Sequence, residues 1–146
     1  MGMLDSQLIL AEGQAVTAIG DTGSTANYDA GSAALGPAGL TGENLWVQAF
    51  CSGTVTSGGA PTVQAVLQDS SDGATWNDVV SGPPLPLASL VKGAQLLKVQ
   101  PPPGMLEFWR IAWRVATAAL TGGTFDGYIS NTLQDNVPRP SGFSVA

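Results

Sequence analysis

Histidine is absent from this chain, and cysteine occurs once, at Cys51. Zinc sites, histidine general bases, Ser-His-Asp and Cys-His pairs, thioredoxin-type dithiols and intramolecular disulfides are therefore out of reach. Most familiar hydrolase mechanisms go with them. Charge is scarce too, at 11% of residues against a typical figure of about 25%. Five Lys and Arg against eleven Asp and Glu give a net charge of −6. Holding nucleic acid through its phosphates needs clustered cations, so nucleic acid is not an expected partner. No apolar run approaches the roughly 18 residues of a membrane span, and no membrane partner is expected. Residues 1–10 have no basic region, and Leu8-Ile9-Leu10 falls short of a secretory apolar core of about 7 to 15 residues. No export route is expected. Cys51, inside the apolar segment 45–51, reads as a small buried hydrophobe rather than a reactive thiol, which is compatible with a reducing cytoplasm.

What the chain does have is glycine and proline, 19 and 10 of its 146 residues. That length gives one domain, placed at residues 1–136 with a tail at 137–146. The charge is unevenly spread. Residues 1–91 hold Asp5, Glu12, Asp21, Asp29, Glu43, Asp69, Asp72 and Asp78 but no Lys or Arg, and the remainder sets Lys92, Lys98, Arg110, Arg114 and Arg139 against Glu107, Asp126 and Asp135. This asymmetry suits docking onto a partner of complementary potential. It equally suits a few acids scattered over solvated turns.

No window of eleven residues keeps a helical apolar stripe, whereas alternation recurs. Leu45, Val47, Ala49 and Cys51 share one face, with Trp46, Gln48 and Phe50 opposite. Val63, Ala65 and Leu67 oppose Gln64 and Gln68, which predicts a half-solvated strand. Gln95, Leu97 and Val99 alternate with Leu96 and Lys98. The strongest segment is 106–115, where Trp109, Ile111, Trp113 and Val115 face one way and Phe108, Arg110, Ala112 and Arg114 the other. A last strand alternates from Thr124 to Leu133, and weaker strands fit 7–10, 15–19 and 76–80. Turns are expected at 57–61 and 69–73, extended proline connections at 82–86 and 101–104, and a hairpin at Thr121-Gly122-Gly123-Thr124. Residues 20–44 lack a clear period and read as one long loop. The expected fold is all-β: an antiparallel β-sandwich, jelly-roll-like, with about eight strands and little or no helix.

Few motifs carry chemistry. Ser70-Ser71-Asp72-Gly73-Ala74-Thr75-Trp76 resembles an Asp-box turn shortened by one residue. There the Asp caps turn amides, Gly takes positive φ and Trp anchors the turn on the core, so the motif is a folding device before it is a ligand site. Glu107 and Asp126 are the carboxylates to weigh as a glycosidase pair, but the hairpin reading sets them at opposite ends of paired strands, as solvated strand-end groups. Trp109 and Trp113 lie roughly 13 Å apart on one strand face at about 3.3 Å per residue, a spacing that could grip alternate sugars. With Ile111 between them, core packing is the stronger reading. Arg110 and Arg114 snorkel across the outer face or join an oligomer contact. No phosphate loop stands in a strand-to-helix setting, and no cofactor or metal is expected.

The opening Met3-Leu4-Asp5-Ser6-Gln7-Leu8-Ile9-Leu10, followed by Gln14-Ala15-Val16-Thr17, is similar to the start of small tailed-phage capsid cement (decoration) proteins. In that family a polar Asp/Gly stretch follows, then alternating strands, a Ser/Asp turn with an aromatic, a Pro-Gly approach and a strand rich in arginine and aromatics. The counterparts here are 45–51, 68–76, 101–104 and 106–115, and the resemblance spans about residues 3–135. It implies a jelly roll that oligomerises, as a homodimer or homotrimer, on the outer surface of an icosahedral head and clamps neighbouring major capsid proteins, with no catalysis and no cofactor. Such a protein is made in the host bacterial cytoplasm and ends on the virion. The insertion at 20–44 and the extension past Asp135 depart from the family pattern. The expected contact residues are those outside the sandwich: Leu8, Ile9 and Leu10, the 20–44 loop, and Arg139 and Phe143 in the tail. The alternative is a carbohydrate-binding or adhesion β-sandwich using exposed tryptophans, and a weaker one is a carboxylate glycosidase.

Overall fold

Alternation along the chain becomes two antiparallel sheets in the computed structural model, which describes residues 9–29, 46–102 and 106–130. The strands are β1 (Ile9–Ala15), β2 (Gly20–Gly23), β3 (Tyr28–Asp29), β4 (Trp46–Thr56), β5 (Thr62–Ser70), β6 (Asn77–Ser81), β7 (Leu85–Pro86), β8 (Gln95–Val99), β9 (Phe108–Ala116) and β10 (Gly122–Ser130). One sheet has the order β1-β10-β4-β8, and the other β2-β9-β5-β6, with β3 also on β9 and β7 also on β5. The two short pairs each share one slot, so ten segments fill eight strand positions. The pairing is nested: β1 with β10, β2 and β3 with β9, β4 with β8, and β5 with β6 and β7. A long hairpin rolled up on itself gives this order, and it is a jelly roll. The helical content among the described residues is a 3-10 turn, Leu87–Ser89.

The core forms between the inward faces. On β9 these are Trp109, Ile111, Trp113 and Val115, on β5 Val63, Ala65 and Leu67, on β4 Val47, Ala49 and Cys51, and on β10 Phe125 and Ile129, all buried. Trp113 stacks on Phe125 across the sheets, with ring centroids 5.0 Å apart and planes at 28°, close to the offset geometry aromatic quadrupoles prefer. Gly127 faces inward beside them, where a Cβ would lie 2.6 Å from Ile111 Cδ1. Its missing side chain lets β10 approach β9.

Four expectations need correction. Residues 20–29 of the expected loop contain β2 and β3, held by β9 through the pairs Asp21–Arg114, Thr22–Trp113 and Tyr28–Trp109; the rest of that loop lies outside the described residues. The Thr121 to Thr124 hairpin does not exist, because β9 and β10 belong to different sheets and the connection between them crosses the sandwich. Residues 16–19 likewise form a crossing rather than a strand, with Val16 buried and Ile19 exposed. Finally, Gln68 is buried rather than solvated: its amide bridges two strands, as described below.

The Gly127 contact generates a double-mutant test. Gly127→Ala overpacks the core and costs about 1 to 3 kcal/mol; Ile111→Val alone costs about 0.5 to 1.5 kcal/mol. Since Ile111→Val removes the atom that the new methyl meets, the double variant should be more stable in urea unfolding than the sum of the single losses.

Candidate functional site

The outer face of the β9 sheet gathers a connected set of polar side chains. Alternation turns Arg110 and Arg114 outward from β9, and the register sets Gln64 opposite Arg114, Val66 opposite Ala112 and Gln68 opposite Arg110. Strands β2 and β6 flank this pair and bring in Asp21 and Asp78. Arg114 donates from Nε and Nη2 to the two carboxylate oxygens of Asp21 at 2.7 and 2.8 Å, and from Nη2 to Asp78 Oδ2 at 2.9 Å. Gln68 donates from Nε2 to Asp78 Oδ1 at 2.7 Å and accepts from Arg110 Nε at 2.8 Å. The Arg110 guanidinium lies over the Trp76 ring, 4.4 Å from its centroid. A continuous chain of contacts thus runs from Asp21 through Arg114, Asp78, Gln68 and Arg110 to Trp76, crossing β2, β9, β5 and β6.

Its electrostatics are those of paired charges. The hydrogen bonds from Arg114 hold the Asp21 carboxyl below its ordinary value, and those from Gln68 and Arg114 do the same for Asp78. The same partners raise Arg114, whereas burial lowers Arg110. A general acid needs a carboxyl raised toward neutrality, and these carboxyls move the other way.

The Ser70 to Trp76 turn behaves as expected at its Asp and Gly. Asp72 Oδ1 accepts from the Ala74 and Thr75 amides at 2.8 and 2.9 Å and from the Ser70 hydroxyl at 2.9 Å, and Gly73 takes φ 77°. Those bonds, led by the Thr75 and Ala74 amides, lower the Asp72 carboxyl to about 2. Trp76 departs from expectation. It is half-buried beneath Arg110 on the outer face rather than anchored in the core.

The other candidates are dispersed. Asp126 accepts from the Gly13 amide at 2.6 Å and secures an irregular stretch of β1. Glu107 sits beside the start of β9 in the other sheet, so the two carboxylates are not brought together. Trp109 and Trp113 are fully buried, and their indole N–H groups donate to the Leu106 carbonyl and Gln14 Oε1. They form no sugar platform. Cys51 is buried, and desolvation pushes its thiol up to about 12, as an unreactive thiol requires. Of the expected contact residues, Leu10 is wholly within the core, because β1 is a strand of the sandwich rather than an arm beside it. Ile9 is half-buried at the start of the same strand, and Leu8, Arg139 and Phe143 lie outside the described residues. Asp21, Gln68 and Asp78 were not singled out from the sequence. The surplus of acids before residue 92 and of arginines after it was the signal that could have found them.

Two outcomes follow. Asp21, Asp72 and Asp78 have lowered folded values, so each adds stability that is present above the ordinary value of 3.8 and is lost as pH falls through the folded one. Thermal midpoints should drop between about pH 4 and 2, and Asp72→Asn should flatten that drop. In a cycle of Arg114→Gln with Asp78→Asn, chemical denaturation should give a coupling of about 0.2 to 1 kcal/mol, because water reaches both groups.

The family model of Bbp16 matches residues 10–129. No curated protein matches the chain. The match runs from the second residue of β1 to the penultimate residue of β10 and so takes in the whole jelly roll. The chain belongs to the Bbp16 family.

Proposed function

We propose that this protein is a structural cement of a tailed-phage head, attached as a homo-oligomer to the outer surface of the icosahedral shell, where it stabilises contacts between major capsid proteins. The observation that carries this reading is how its reactive side chains are used. Asp21, Arg114, Gln68 and Asp78 brace four strands, Asp72 closes a turn, Asp126 secures β1, and Trp109 and Trp113 fill the core. These side chains are all used to hold the fold together. A rigid body of pleated backbone is suited to adhesion, and the resemblance of residues 3–135 to capsid cement proteins supplies the partner.

The work such a protein does is mass action. A molecule that binds the assembled shell better than loose subunits stabilises assembly by the difference in binding free energy. A modest interface of about 1,200 to 2,000 Å² suffices when an oligomer engages several capsomers at once.

Particles of the phage that encodes this chain provide the test. The polypeptide should copurify with intact heads in many copies, and heads stripped of it should release DNA at a lower temperature than complete ones. Equal melting of the two preparations, or heads that lack the chain, overturns the reading. A panel of soluble oligosaccharides should leave its tryptophan emission unchanged; a saturable shift would instead favour a carbohydrate-binding module.

A further inference from the structure

Four crossings close one end of the sandwich: residues 16–19 between β1 and β2, 57–61 between β4 and β5, 87–94 between β7 and β8, and 117–121 between β9 and β10. Hydrogen bonds bind them into one surface. The Leu120 amide donates to the Thr17 carbonyl at 2.9 Å, the Ser57 hydroxyl to the Ala119 carbonyl at 2.6 Å, and the Val55 amide to the Leu90 carbonyl at 3.0 Å. In a chain of net charge −6, these four segments contain a single charged residue, Lys92. They also carry Ile19 and Val91, exposed at 60% and 49%, two of the three large hydrophobics exposed among the described residues. The third, Leu106, lies at the opposite end with Asp29, Asp72 and Glu107.

We infer that this loop end, which carries Lys92 but no acid and bears Ile19 at one edge and Val91 at the other, is the surface through which a second copy of the chain docks. The inference rests on the homo-oligomer of the cement reading and names its contact. Two copies that each carry −6 repel, and the outer face of the β9 sheet, with Asp21 and Asp78, or the acidic far end would set ionised groups against ionised groups. At the loop end no acid meets an acid. Gly58, Gly59, Ala118 and Ala119, on the two crossings between those edges, allow close approach. Pairing strand to strand is a poor substitute. Edge strand β1 is broken by two register shifts, and β8 carries Lys98 and runs into Pro101 and Pro102, the devices that blunt sheet edges.

Sedimentation velocity on the full chain over a concentration series tests this. The wild type should associate, and association should hold or strengthen as salt screens the like charge. Ile19→Glu and Val91→Glu, made separately, should each weaken it about tenfold or more, since each places an unpaired carboxylate in the contact. Leu106→Glu should leave it unchanged. All three positions are exposed, and an unaltered thermal midpoint and tryptophan emission show that a variant is folded. A wild type that stays monomeric throughout, association that dissolves with salt, or glutamate variants that associate like the wild type would each overturn the assignment. A monomeric wild type would also remove the homo-oligomer from the cement reading, whereas cementing itself is decided separately, by occupancy and melting of heads.

Discussion

The stack of Trp113 on Phe125 is the contact on which the sandwich depends. It joins β9 of one sheet to β10 of the other, and those strands are the second members of their sheets, each with a short or irregular strand outside it. The Trp113 indole donates to Gln14 of β1, and the Gln14 amide donates to the Gly23 carbonyl of β2. One ring pair and one glutamine therefore fix where both edges lie. Gly127 is a consequence of the same closeness, since the sheets can approach at the stack only if β10 has no side chain there.

Around this centre, polar groups act across strands rather than toward solvent. The bracket from Asp21 to Trp76 spans four strands of one sheet, so the outer face is stiffened by side chains as well as by the backbone ladder. Such networks fix geometry more than they add stability, because exposed pairs are individually weak. Stiffness on this face and the lack of acids at the loop end are complementary properties in a molecule proposed to hold other proteins at fixed spacing.

Much of this was legible in the sequence. The period-two pattern located β4, β5, β8, β9 and β10, because buried strands must alternate, and β8 falls at the expected residues 95–99. Trp109 and Trp113 were readable as core from the apolar residues between and beyond them. Sequence failed where structure comes from partners distant in the chain. Strand β2 is Gly-Asp-Thr-Gly, which has no strand signal of its own and is extended because β9 offers it a ladder and Arg114 offers its Asp a partner. The connection from β9 to β10 looked like a hairpin because Thr-Gly-Gly-Thr suits one, and local turn chemistry does not state which sheet the next strand will join. Gln68 looked solvated because its type is polar; its burial depends on Arg110 and Asp78, neither of which is its neighbour in sequence.

The nested winding has a consequence for how the protein comes into being. Its outermost pair joins β1 to β10, and Asp21, far upstream, meets its cation only at Arg114. While residues 1–91 emerge, the nascent segment carries acids and no basic side chain to answer them. Those acids have to wait for their arginine partner, and contacts of such wide sequence separation form slowly. The roll can therefore close only after its arginine strand has been made.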